Sequence, residues 1–380
     1  MPSRRIILTT GAAAIVVAGA GWVLSRQPKL ARAPWRDAGE SFGDPRLDAL
    51  AYAVLAPNPH NMQPWRVELT GEREILLFCD QSRLLPETDP PNRQITIGFG
   101  CFIELFRNAA AHKGFYAQVT PFPDGEPQPT LDNRPVAHIE LKMGERVVYD
   151  ALFSECMARR TNRARFDTDR GLSEEQKVEI QTAAIAGNTA FVIDDPGLRA
   201  ELRALTKEAF QLEWNLARTR RESVHVTRIG KNAINEKPYG IALAGPLMDA
   251  LGGFGMVTND KMDTPGETAY EQSISFYDKA CDSAMAYAVI KTPTNSRVDQ
   301  LNTGRDWVRM QLAATHVGVA FHPLSQALQE FPEMASHYAH VHELLGANNG
   351  ETVQMLSRLG FAKSPPPAPR EALMSKIVGV

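Results

Sequence analysis

Ala56-Pro57-Asn58-Pro59-His60-Asn61-Met62-Gln63-Pro64-Trp65-Arg66-Val67 is the stretch whose reading decides the fold. Its three prolines fix φ and remove backbone donors, so it is no helix interior, whereas the apolar run Leu47 to Leu55 before it suits one. Asn58, Asn61 and Gln63 offer amides that donate and accept at once, Trp65 offers a flat apolar face, and no residue offers a nucleophile. Such a stiff loop suits gripping a planar heterocycle. The alternative is an ordinary rigid turn leading from a helix into a strand, Trp65 to Leu69.

Outward from this loop, Gly43-Asp44-Pro45 reads as an N-cap with proline at the helix start, opening a helix to Leu55. Beyond it, Glu74 to Cys79 returns as the second strand of a hairpin turned at Thr70-Gly71-Glu72. A long helix is expected from about Gln94 to Lys113, then strands Phe115 to Thr120 and Val136 to Leu141. Tyr149 to Arg160 places Leu152, Phe153, Cys156 and Met157 on one face and reads as a helix. Ser173-Glu174-Glu175-Gln176 is a capping box opening a helix to about Ile185, followed by strand Thr189 to Ile193. Lys207 to Leu216 continues a helix, and Ala284 to Lys291 is a buried strand. Between them Val224 to Thr268 has no strong period and is too long for a plain connection. It reads as a lid or as a disordered excursion.

Toward the N-terminus, Ser3-Arg4-Arg5-Ile6-Ile7-Leu8 precedes an apolar run to Leu24 and a small-residue site at Ala31-Arg32-Ala33. That order resembles a twin-arginine export signal, the alternative being a permanent membrane anchor over residues 6 to 24. Removing residues 1 to 33 leaves 36 Lys and Arg against 44 Asp and Glu, a net charge of −8. So acidic a chain is a poor polyanion binder, and no nucleic-acid partner is expected. Cys79, Cys101, Cys156 and Cys281 lack C-x-x-C spacing and read as core thiols.

Three further features stand out. Gly100 to Phe115 aligns without gaps on Gly304 to Val319 at an offset of 204, matching Gly100, Ala109, Ala110, His112 and Gly114 with Gly304, Ala313, Ala314, His316 and Gly318. This suggests an internal duplication whose two small-residue helices pack closely, as a dimer core would but within one chain. Arg159-Arg160-Thr161-Asn162-Arg163-Ala164-Arg165 concentrates guanidiniums that suit a phosphate dianion, the alternative being a solvated basic loop. Near the C-terminus, Leu359-Gly360-Phe361-Ala362-Lys363-Ser364-Pro365-Pro366-Pro367-Ala368-Pro369-Arg370 is a stiff arm ending in one more arginine.

Together these residues resemble the nitroreductase family of flavoproteins. Arg159-Arg160-Thr161-x-Arg163 is similar to its phosphate motif, Pro57 to Trp65 to its flavin loop ending Gln-Pro-Trp, Gly304 to Gly318 to its central helix, and Leu359 to Arg370 to its tail. The order differs, because the Gln-Pro-Trp loop lies in the first half and the phosphate motif in the second. The resemblance therefore implies an α+β fold of two similar halves, each an antiparallel-rich sheet packed with helices around a long central helix. The halves form a pseudo-dimer in one chain, a monomer with one complete site. The expected boundaries are a signal or anchor at 1–33, a first half at 34–147, and a second half at 148–380 with a lid insertion at about 207–282.

The resemblance implies FMN as cofactor, with the flavin carrying the chemistry and no catalytic side chain or metal. Arg159, Thr161 and Arg163 would hold the phosphate, with Arg160 beside them and Arg370 arriving from the tail. Asn58 and Asn61 would contact the ring and ribityl chain, Asn58 standing where the family has serine. His60 and Gln63 lie in the same grip, His60 being alternatively a substrate contact or a hydrogen-bonded spacer. Pro323-Leu324-Ser325-Gln326 would turn the amides of Ser325 or Gln326 toward the flavin's reactive edge. Asp89 and Arg93 would line the pocket or pair with each other. The implied activity is an oxidoreductase that reduces a small electron acceptor by alternating half-reactions. Its electron donor is a reduced nicotinamide or another reductant, and it is carried by the twin-arginine machinery to the periplasm or anchored facing it. A rival reading is a flavin-sequestering protein closed by the lid. A zinc site at His337-x-x-His340-x-His342 is disfavoured, since these residues do not share one helix face.

Overall fold

A computed structural model describes residues 25–144, 147–348 and 350–379. The Arg4-Arg5 pair and the apolar run to Leu24 lie outside the described residues. Among those described, no helix is long and apolar enough to cross a membrane.

The chain is α+β, with two sheets flanking a central helix pair. β1 (Trp65–Thr70) and β2 (Glu74–Cys79) form the expected hairpin, turned at Gly71, whose φ of +52° suits glycine. Along β1 the inward Trp65 and Val67 alternate with exposed Arg66 and Glu68, the period of a half-buried strand. β3 (Phe115–Pro121) and β4 (Ala137–Met143) complete the antiparallel set. The short β11 (Ile377–Val378) pairs in parallel with β1, so the chain's last residues close the first half's sheet. The second sheet runs β5 (Thr189–Ile193), β8 (Ala286–Thr292), β10 (Thr352–Gly360), β9 (Ala320–Pro323), all antiparallel. β8 and β10 are buried at every position, as strands covered on both faces are.

Between the sheets run the two central helices, Arg93–His112 and Arg297–His316. They meet glycine on glycine. A Cβ on Gly100 would lie 2.0 Å from the Leu301 carbonyl oxygen, and one on Gly304 would lie 1.9 Å from that of Ile97. At the offset of 204, Ile97 answers to Leu301 and Gly100 to Gly304. The two contacts are one contact read in both directions, the reciprocity of an isologous interface. All four cysteines are buried and free, with burial pushing Cys79 and Cys156 up to about 12 and Cys281 up to about 11, as core thiols should be.

Two expectations are corrected. Tyr149 to Arg160 is not a helix but a single 3₁₀ turn, Ala151–Glu155. Asp150 caps that turn at the Leu152 amide and also binds Arg309, while the chain beyond bends to sink Arg159 into the core. Val224 to Thr268 is neither a disordered excursion nor a bare flap. It folds as short helices around a parallel pair, β6 (Thr227–Ile229) and β7 (Ile241–Leu243), with an apolar cluster of Phe210, Trp214, Val224, Met262, Ala269 and Tyr270. Elements that short show no period in sequence. Around residue 33 the chain is helical and packed. Leu30–Arg32 is a helical turn running into helix Ala33–Asp37, and Ala31 is 2% exposed.

Replacing Gly100 by alanine sets a side-chain carbon against the backbone of the other helix, which has no rotamer to move. Chemical denaturation of Gly100→Ala should show a loss of about 1–3 kcal/mol or more. Gly171→Ala, at an open surface position, should change stability by less than about 0.5 kcal/mol.

Candidate active site

The loop 56–63 is held in a conformation that side chains seldom adopt. His60, Asn61 and Gln63 have φ of +46°, +57° and +51°, costly values sustained by the surroundings. Asn58 closes the loop on itself, its Oδ1 accepting from the Gln63 amide at 2.8 Å and its Nδ2 donating to the Ala56 carbonyl at 3.1 Å. The first central helix backs it at Gly98, where a Cβ would approach that of Asn58 to 3.1 Å. Gln63 is fully buried. Its Nε2 donates to the Pro238 carbonyl and its Oε1 accepts from the Glu371 amide, so it ties insertion to tail. Asn58 and Gln63, expected to contact a cofactor, are thus spent on the chain. Asn61 is spent similarly, donating to Gly240 and Pro369 carbonyls and accepting from Arg370 Nη1 at 2.6 Å.

The two grips meet at one atom. Arg159 Nη2 and Arg370 Nη2 both donate to the Leu55 carbonyl, at 3.0 and 2.9 Å. Arg159 is fixed from the second central helix by Gln311, whose Oε1 accepts from Arg159 Nη1 at 3.0 Å and whose Nε2 donates to the Arg160 carbonyl. Thr161 stands beside the same amide, 3.5 Å away, and bridges to Phe321 of β9. The guanidiniums of Arg159, Arg160 and Arg370 surround the Trp35 ring at 5.8, 4.7 and 5.6 Å from its centre. Arg32 adds a fourth charge, one that Arg160 feels. None of the four forms a salt bridge among the described residues. Among the described residues, the Nε–H groups of Arg32, Arg159 and Arg370 are buried without a partner. Burial pushes Arg159 down to about 10 and holds Arg370 well below the usual arginine range. Cations so placed favour a bound dianion, and an orphaned N–H is what such a ligand would satisfy.

Arg163 does not join this group. It is exposed, and its charge adds to burial in lowering the pKa of His60 and, behind burial and Arg358, that of His322. Its segment is shaped by fully buried Arg358, which donates to the Asn162 and Ala164 carbonyls. On that side lies Pro323-Leu324-Ser325-Gln326. The Leu324 amide is spent on the Leu356 carbonyl, whereas those of Ser325 and Gln326 have no acceptor among the described residues.

A buried carboxyl lies on the side of Ser325 and Gln326. Glu213 is buried with neutral partners only, Gln329 Nε2 at 3.0 Å and Ser223 Oγ at 3.4 Å, with the Gln326 side chain beside it. Ser223 reaches His60 Nε2 at 3.4 Å, and His60 Nδ1 is buried unpartnered. Burial, with Glu222 nearby, raises Glu213 to about 7, while burial and Arg163 push His60 down to about 4. The sequence reading missed Arg32, Trp35, Glu213 and Gln311. Arg32 looked like part of a cleavage site, and a lone Glu or Gln on a helix carries no local signal. Asp89 and Arg93 do not pair either: Asp89 accepts from the Gln94 and Ile95 amides at the helix start, and Arg93 binds Glu330, Gln354 and Leu328. His342 spends both ring nitrogens on Tyr338 and Val353, which leaves it none for a metal.

Because Glu213 holds its proton more tightly folded than unfolded, its contribution to stability is complete below about pH 4.5 and is lost as pH rises through about 7. The full difference is about 3 kcal/mol. Glu213→Gln should therefore flatten the fall in unfolding free energy between pH 5 and 8 and exceed the parent's stability at pH 8.

No family model matches the sequence. The chain is 32% identical over 164 residues to the putative NAD(P)H nitroreductase acg of Mycobacterium tuberculosis, a match spanning 42% of this chain and 46% of that protein. It thus spans less than half the length of that curated relative. It is 26% identical over 344 residues to a second putative NAD(P)H nitroreductase of that organism, across 85% of this chain and 88% of the relative. Among solved structures, the FMN-dependent nitroreductase NfnB of Mycobacterium smegmatis in complex with NADPH overlaps 57% of this chain and 92% of its own at 18% identity. The TM-score is 0.35. By sequence the chain is a relative of mycobacterial proteins named as putative NAD(P)H nitroreductases.

Proposed function

We propose that the chain is an FMN-dependent oxidoreductase of the nitroreductase type, one flavin being held between the halves of a single duplicated chain. The observation that carries this reading is the group of guanidiniums buried without carboxylates where the second half, the tail and the loop 56–63 converge on Leu55. Their orphaned Nε–H groups fit a phosphate monoester. The relatives' names agree with it, and the reciprocal glycine crossing supports the duplication.

FMN would supply two-electron chemistry, accepting from a reduced donor and passing to a small oxidised compound in alternating half-reactions. Arg159, Arg160 and Arg370 would hold its phosphate with the Thr161 hydroxyl beside them, and the Asn61 loop would wall the sugar chain. The free Ser325 and Gln326 amides would face its polar edge. Arg163 would set the charge at that end, away from the phosphate. Glu213 Oε, beside Gln326, would keep a proton close by at neutral pH. The relatives' names suggest a nicotinamide donor, whereas export by the twin-arginine route to the periplasm, or anchoring there, favours another reductant. The chain would act as a monomer.

A second reading, sequestration of flavin with little turnover, is favoured by one observation. The insertion clamps the loop from both directions, the Gly240 amide donating to Asn61 and Asn61 donating to Gly240, with Pro238 on Gln63.

Purified protein should be yellow with releasable FMN, and Arg370→Ala and Arg159→Ala should each come largely colourless, since losing one such contact costs about 2–5 kcal/mol. Full flavin retention in both variants would refute their assignment. Rapid anaerobic reduction of the bound flavin by NADPH would eliminate sequestration, and failure of every reductant tried would support it.

A further inference from the structure

We propose that Arg32 is a fourth ligand of the phosphoryl group, delivered by a segment, residues 25–38, that belongs to the binding site and not to a removable leader. The inference rests on the flavin reading only for the ligand's identity; the chemistry recognised is a phosphate monoester dianion.

The segment is bonded into the site along its length. The Ser25 carbonyl accepts from Lys231 Nζ at 3.0 Å, the Ala31 amide donates to Asn235 Oδ1 at 3.1 Å, and the Ala31 carbonyl accepts from the Arg370 amide at 2.7 Å. Trp35 Nε1 donates to the Ala368 carbonyl at 2.7 Å, one residue before the Pro369-Arg370 end of the arm. The same stretch is thereby fastened to the insertion and to the tail, the two pieces that enclose the loop. Arg32 and Trp35 stand three apart in a continuous helical run, so they share a face, and the Trp35 ring lies among the other three guanidiniums. Arg32 spends one Nη1 bond on Gln27 at 2.8 Å, while its Nε is buried without a partner, as are those of Arg159 and Arg370. The face of Trp35 offsets part of the mutual repulsion, but an aromatic quadrupole neutralises no charge. Four cations gathered without a carboxylate call for an anion, and Arg32 is placed to share it. A cut after Ala33 would remove Arg32 together with the bonds made by Ala31.

The test uses the full chain stripped of flavin and titrated with FMN, riboflavin and inorganic phosphate, following flavin fluorescence and thermal stabilisation. Arg32→Gln should weaken FMN about 10- to 100-fold, with riboflavin unchanged and phosphate stabilisation reduced. Arg36→Gln, which removes the same charge from an exposed position on the same segment, should leave all three ligands as in the parent. Parent-like FMN binding by Arg32→Gln overturns the inference, and so does equal weakening of FMN and riboflavin, which would mark a structural role. If the parent binds phosphate but no flavin, the flavin reading fails and the Arg32 assignment is still decided by phosphate. If the parent binds neither, both fall.

Discussion

The rest of the molecule depends on how closely the two central helices approach. With hydrogen as the only side chain at Gly100 and Gly304, each backbone lies against the other, and Cys101 Sγ even donates to the Gly304 carbonyl. That contact decides where the neighbouring turns of both helices go. Half a turn back on the first helix, Gly98 seats the loop at Asn58. Two turns on along the second, Gln311 seats Arg159 and the Arg160 carbonyl. The loop and the guanidiniums come to share the Leu55 carbonyl because the helices that carry them cannot be spread apart without opening the core.

A second consequence concerns polar groups. The amides of Asn58, Asn61 and Gln63 look like ligand contacts, yet they serve the loop itself, satisfying donors and acceptors that three left-handed residues would otherwise leave open. Beside the loop, the groups left without partners among the described residues are the Nε–H of Arg32, Arg159 and Arg370 and the amides of Ser325 and Gln326. The asymmetry between Glu213, a carboxyl with no cation, and the arginine cluster, cations with no carboxylate, is the electrostatic signature of the site.

Much of the architecture is legible locally. The Asp44 and Ser173 caps, the Gly71 hairpin, the alternation of Trp65 to Thr70 and the two helices ending at His112 and His316 all follow from short-range chemistry. Local reading fails at Tyr149 to Arg160, whose helical stripe is real but whose residues are claimed from afar. Arg309 binds Asp150, and Leu55 and Gln311 draw Arg159 inward. It fails again in the insertion, where elements of three to nine residues are too short to show a period and are ordered by packing on Phe210, Trp214 and Tyr270.

The sequence by itself determined which residue types are available and where the backbone must turn: a proline-fixed amide loop, an arginine stretch, an arginine-tipped arm, and two glycine-bearing helices at a constant offset. Those are properties of single residues and near neighbours. Only the tertiary structure decided that Arg163 parts from Arg159 and Arg160, that Arg32 and Trp35 enter the group from the N-terminal side, and that Glu213 sits beside Gln326 without a counter-ion. Each of these depends on contacts between residues far apart in the chain, where no local propensity acts and close packing alone assigns the neighbours.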